Sequence, residues 1–215
     1  MTDEPPAHLF HPGTGHDAPP LLLLHGSGGG EHDLMPLARR LAPGSAILAM
    51  RGTVAIDGGF AFFHRFPDRT IDEADIVARA PILAGCIETC RARYGLTTPP
   101  VAVGFSNGAI MAAALLLTRP ALLAGAILLR PLLPFANDPP VRLSAVPVLI
   151  VDGEKDSRRS PGDGARLAER LRGAGAKVTH HVLPVGHAIS ERDVVLSRTW
   201  LDAVAGGRAD VAHGA

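Results

Sequence analysis

The chain has 215 residues, of which 47% are hydrophobic, with 21 basic side chains balanced by 21 acidic ones. That length suits one domain with a sizeable core, expected to span 1–215, and the zero net charge gives no basic excess to favour nucleic acid or an anionic membrane. No apolar run approaches the ~20 residues needed to span a bilayer, so membrane insertion is not expected.

The N-terminus, MTDEPPAHLF, lacks the basic and apolar regions of a secretory signal, which makes the cytoplasm the expected compartment. Residues 1–19 hold four prolines (Pro5, Pro6, Pro12, Pro19) and three histidines, His8, His11 and His16. They read as an N-terminal extension supplying at most one short edge strand near His8 to His11, with the histidines on a solvated surface.

Leu21 to Leu24 is wholly apolar and suits a central strand covered on both faces. It stops at the glycine-rich His25-Gly26-Ser27-Gly28-Gly29-Gly30. A phosphate cradle is the alternative for this loop, but it has neither a Gly-Lys-Ser/Thr ending nor a G-x-G-x-x-G with the acidic residue that should follow. A helix is expected from Asp33 to Leu41 and a strand from Ala46 to Met50. Arg51 to Thr70 is the longest irregular stretch and holds four of the seven phenylalanines, Phe60, Phe62, Phe63 and Phe66. Two readings stand level: the aromatics of an apolar substrate pocket, Phe60, Phe62 and Phe63 above all, or rings pinning a loop to the core. Ile71 to Tyr94 reads as a helix kinked or split at Pro81 and ended by Gly95. Cys86 and Cys90 read as small apolar residues of a reducing compartment, with no zinc-type spacing and hence no metal.

The most informative stretch is Pro99 to Leu117, PPVAVGFSNGAIMAAALLL. An apolar strand leads into Gly104-Phe105-Ser106-Asn107-Gly108, and an Ala-rich buried helix follows. Glycines two before and two after the serine remove side chains where strand and helix backbones must approach. This is the G-x-S-x-G nucleophile elbow in its strand–turn–helix setting. Strands are then expected at Leu122 to Leu129, Val146 to Val151 and Lys177 to Leu183. Between them lie a proline-rich loop over 130–145 and a helix containing Arg166 to Leu171. A helix from Ile189 to Val204 closes the chain, before a small, polar tail over 206–215 expected to fray. Alternating strands and helices, with strands too hydrophobic to face water, predict an α/β fold: a mostly parallel central sheet with helices on both faces.

A serine hydroxyl needs a base in reach, the base an orienting acid, and the developing oxyanion fixed donors. In this fold the acid and the histidine follow the serine in that order. Two acids compete, Asp152 at the strand's tip and Asp156 past Gly153. Asp156 is preferred because a residue beyond a glycine turn can lean across to a neighbouring loop, while Asp152 suits a turn or cap. His187, in the loop after the last strand, is the candidate base. His180 and His181 read as strand residues and His25 as a structural tie between loops. The backbone N–H groups of Ser27 and Asn107 are the candidate oxyanion donors.

LLLLHGSGG, GFSNG, DGEKD and PVGHA together resemble the α/β-hydrolase superfamily in its compact phospholipase/carboxylesterase branch, over residues 20 to 204. RGTV at 51–54, FFHR at 62–65 and GFSNGA look most like small bacterial carboxylesterases. The resemblance implies an α/β-hydrolase fold without a large cap, a triad of Ser106, Asp156 and His187, and no cofactor. It implies small esters as substrates, with thioesters or lysophospholipids of longer acyl chain as the alternative. A non-catalytic binding protein on the same fold is the alternative of another class. A homodimer is among the arrangements it suggests, with the apolar loop Leu132-Leu133-Pro134-Phe135 as a candidate contact. Two departures stand out. Met50 takes the place of a usual proline, and after the acid comes Ser157-Arg158-Arg159-Ser160-Pro161 where relatives carry an apolar residue and V-P.

Overall fold

The computed structural model describes residues 6–15, 18–137 and 139–212, with the backbone alone for 206–212. Its centre is a seven-stranded sheet in the order β1-β3-β2-β6-β7-β8-β9. The strands are β1 (His8–His11), β2 (Leu21–Leu24), β3 (Ile47–Met50), β6 (Val101–Phe105), β7 (Gly125–Leu129), β8 (Pro147–Gly153) and β9 (Lys177–Leu183). Only β1 runs antiparallel, against β3, so the N-terminal segment does form an edge strand. The other pairings are parallel.

The pleat explains why β2 is four leucines. Leu22 and Leu24 enter the core beneath α2 (Glu73–Arg93), α3 (Asn107–Thr118) and α4 (Asp163–Gly173), while Leu21 and Leu23 enter the opposite core with α1 (Met35–Leu41) and α5 (Glu191–Ala212). A strand with cores on both faces has no polar side to alternate with. The α3 helix goes further: every residue from Asn107 to Leu117 is buried, so it has no solvent-facing stripe at all.

Four local expectations are corrected. Residues 51–70 are not wholly irregular, because Val54–Ile56 (β4) and Gly59–Ala61 (β5) form a hairpin. The α2 helix is not split at Pro81 but continues through it as one element. The carbonyl that proline leaves without a donor belongs to Val77, a 56% exposed position where water can replace the lost bond. The α5 helix continues to Ala212, past the expected end, and the last residues of the tail expected to fray, 213–215, lie outside the described residues. His8 is no free surface group, since its ring hydrogen-bonds the Tyr94 hydroxyl at 2.9 Å; His16 lies outside the described residues.

Candidate active site

Ser106 stands at the junction of β6 and α3 with φ 51° and ψ −109°, a region an L-residue occupies only when its surroundings enforce it. The enforcement is visible on both sides. A Cβ at Gly104 would come within 2.7 Å of Ala109 Cα, and one at Gly108 within 2.0 Å of Leu24 O. Only glycine lets strand and helix close up this far, and the closure drives the serine out at the apex.

His187 and Asp156 come to it from the two neighbouring loops. Lys155 N–H donates to Val185 O at 3.0 Å, and Glu154 N–H to Leu183 O at 2.7 Å, which ties the loop after β8 to the one after β9. Across this seam His187 Nδ1 donates to Asp156 Oδ2 at 2.7 Å, and His187 Nε2 accepts from Ser106 Oγ at 3.0 Å. The Asp156 side chain is fully buried and its other oxygen accepts from Arg158 N–H at 2.9 Å. Burial pushes the His187 pKa below its usual value. The bond to Asp156 works against this, and the charges of Arg159 and Arg158 add to the lowering. The ring is therefore neutral near pH 7, with Nε2 free to accept a proton.

Ser27 faces the cleft with Ser106 and His187. Asn107 opens α3, so its N–H is among those with no intrahelical acceptor. Both residues expected to supply oxyanion donors thus lie beside the serine. The buried Asn107 side chain does something else: Oδ1 accepts from Phe62 N–H at 2.8 Å and Nδ2 donates to Phe63 O at 3.3 Å. His25 ties loops as expected. Nδ1 donates to Gly26 O and Nε2 accepts from Gly52 N–H.

Phe60, Phe62 and Phe63 are not among the residues that line the cleft. Phe62 and Phe63 are 3% and 1% exposed in the core beneath α2 and α3. Phe60 lies under the Arg51 guanidinium, and its backbone pairs with the Gly28–Gly29 segment. The second of the two level readings holds: burial of the rings and the grip of Asn107 fasten 51–70 to the elbow. The loop 132–135 is likewise spent largely on the core, with Phe135 buried and Leu132 and Leu133 packed against it.

What does line the cleft was missed. Its volume is about 240 Å³, and its walls are Phe105, Arg65, Arg69, Arg158 and Arg159 around Ser27, Ser106 and His187. Arg159 Nη2 donates to Ser106 Oγ at 3.1 Å, and Arg159 Nε to Arg130 O at 2.9 Å. Also missed was Arg130, which is fully buried with φ 56°. It grips Asp193 with both ends of its guanidinium, at 2.7 and 2.9 Å, and donates to Gly186 O and Ala188 O, the carbonyls on either side of His187. A cation directly after a wholly apolar strand, at the sheet edge where open α/β sheets place ligands, was the available signal.

Asp152 is not the local cap anticipated for it. It bonds His180 Nε2 at 2.7 Å, because the parallel register sets His180 beside Ile150, one diagonal step from Asp152. Among the described residues, no group of three or more His, Cys, Asp or Glu could hold a metal ion, and no helix is long and apolar enough to cross a membrane.

Comparison with known proteins agrees with this architecture. Residues 58–204 match the model of the phospholipase/carboxylesterase family. The chain is 34% identical to the Bacillus subtilis protein MhqD over 194 residues, 90% of this chain and 96% of that one. Among solved structures, a Bacillus cereus carboxylesterase superposes with a TM-score of 0.88 at 34% identity, covering 92% of this chain and 93% of its own. A Mesorhizobium loti carboxylesterase gives 0.81 at 34% identity, covering 85% and 87%.

Proposed function

The chain belongs to the phospholipase/carboxylesterase family of α/β-hydrolases, and on that footing we propose that it is a serine carboxylesterase acting on small carboxylic esters through an acyl-enzyme. The observation that carries this reading is the unbroken relay from a strained serine: Ser106 Oγ to His187 Nε2 at 3.0 Å, and His187 Nδ1 to Asp156 at 2.7 Å.

In this reading Ser106 Oγ adds to the ester carbonyl as its proton passes to His187 Nε2. Asp156 holds the tautomer that makes Nε2 the acceptor and stabilises the imidazolium that forms. The N–H groups of Ser27 and Asn107 receive the carbonyl oxygen as it gains charge. Collapse expels the alcohol, which leaves with the proton from His187. Water, deprotonated by the same nitrogen, then splits the acyl-serine into acid and free Ser106. No cofactor enters these steps. The cleft of about 240 Å³ falls below the ~300 Å³ at which pockets begin to enclose drug-sized ligands, which supports short acyl groups. One observation favours longer chains: an outer groove of about 460 Å³, floored partly by Ile71, Leu132 and Leu133, adjoins the cleft.

Ser106→Ala, checked for folding by circular dichroism, is expected to lose about three or more orders of magnitude in p-nitrophenyl acetate turnover. A fluorophosphonate should label the parent protein at Ser106 alone. Full activity in the variant, or labelling elsewhere, overturns the reading.

A further inference from the structure

The same four side chains, Arg65, Arg69, Arg158 and Arg159, line both the Ser106 cleft and the outer groove beside it. The four like charges repel one another, Arg69 and Arg158 from exposed positions and Arg65 and Arg159 half-buried, and the carbonyls that Arg65 and Arg159 bond bring no countercharge. Among the described residues none of the four makes an ion pair, and Arg65 Nη2 is buried without a hydrogen-bond acceptor. The carboxylates at the groove's rim are committed elsewhere. Asp68 accepts from Thr70 N–H and Oγ1, and Asp163 from Ser160 N–H and Arg166. The strain registers on the guanidinium at the serine: burial, then the charge of Arg65, pulls the Arg159 pKa down to about 10. Arg130 shows what the fold does with a cation meant only for structure, since it is fully buried against a carboxylate, Asp193, and none of the four has such a partner.

We propose that this wall is a receptor for an oxyanionic group, carboxylate or phosphate, on the ester itself, so that the enzyme selects esters carrying a second, negatively charged group over neutral esters of the same size. Half-esters of dicarboxylic acids are the simplest members of that class. The inference rests on the esterase reading and adds the substrate's charge. Guanidinium forks match an oxyanion's paired oxygens, and such charge-assisted bonds gain strength in a partly desolvated cleft. Arg159, already donating to Ser106 Oγ, is close enough to the reacting atoms for an anion on the wall to set the carbonyl's position.

The test compares kcat/KM for mono-p-nitrophenyl glutarate with that for p-nitrophenyl valerate, which has the same acyl length but ends in methyl. The charged ester should be favoured by about tenfold or more at low salt, with the ratio falling as ionic strength rises. Arg65→Gln and Arg158→Gln should each lower the ratio several-fold, and Arg65→Lys should restore part of it. Competitive inhibition of acetate-ester hydrolysis by glutarate but not inorganic phosphate would assign the wall to carboxylates, and the reverse to phosphates; inhibition by neither at millimolar concentration overturns the proposal. So does a ratio near or below one that is insensitive to salt, a measurement that needs no variant to fold. If that happens while neutral esters are still hydrolysed and Ser106 is still labelled, the charge preference fails and the esterase reading stands. Failure of turnover and labelling together removes both.

Discussion

Two aspartate–histidine pairs start from the end of β8, and only one of them faces the serine. Asp152–His180 and Asp156–His187 are both closed at 2.7 Å, and both carboxylates come from the segment at the end of β8. Asp152 is still within the strand. Its carboxylate meets a side chain on the adjoining strand and packs against the start of α4 at Gly164, at the positive end of the helix. Asp156 lies beyond the strand, joined by backbone bonds to the loop after β9, and so holds a histidine that reaches Ser106 Oγ. Pair geometry alone does not make a relay. The chain must first leave the sheet before an Asp–His couple can turn toward a neighbour's apex.

The sharpest way to break this comparison is to neutralise each acid in turn. Asp156→Asn is expected to lower kcat by about 10⁴, since the amide leaves His187 in the wrong tautomer. Asp152→Asn should change turnover by no more than a few-fold, and a reversed order in ester assays would exchange the roles of the two pairs. Arg130→Met tests the scaffold behind the Asp156–His187 pair. It strands the buried Asp193 carboxylate, and breaking such a pair costs about 3–5 kcal/mol, read as a fall in Tm on the order of 10 °C. Adding Asp193→Asn should recover part of that loss.

A smaller effect separates the histidines by titration. Activity should rise with pH as His187 loses its proton, with a midpoint below the usual histidine value of 6.5 because burial dominates. Arg159→Gln removes a nearby positive charge that disfavours the imidazolium, so the midpoint should move up, by less than about one unit. A midpoint that does not move would place Arg159 away from the base in solution. Asp152→Asn gives the least change of all: a modest loss of Tm from the β8–β9–α4 junction, with the pH midpoint of activity unmoved.

The sheet was legible because β2, β6, β7 and β8 are almost purely apolar, and a strand with cores on both faces leaves no other reading. The elbow was legible because Gly104 and Gly108 answer a steric demand that no other residue meets. Asp156 could be preferred to Asp152 from chain reach alone. The phenylalanines were harder, because an aromatic in a loop after a strand satisfies either a pocket or a core. The outcome turned on the Asn107 side chain, whose bonds to Phe62 and Phe63 span more than forty residues of sequence. Arginine placement was hidden for the same reason. Arg65 and Arg69 lie in one loop, Arg158 and Arg159 in another, and only the packed sheet brings them onto one wall. The sequence departure at 157–161 marked the place without disclosing the chemistry.

The total burial of α3 has a bearing on how the protein would lose its activity. A helix with one wet face can fray or lift while the rest of a molecule holds, but α3 is enclosed from Asn107 to Leu117 and has no such partial exit. Its amides should therefore exchange with deuterium only through global opening, among the slowest in the chain. The backbone tension at Ser106 cannot relax ahead of that event. On heating, the geometry at Ser106 and the fold should disappear in one transition, with no window in which a folded molecule persists around a relaxed serine.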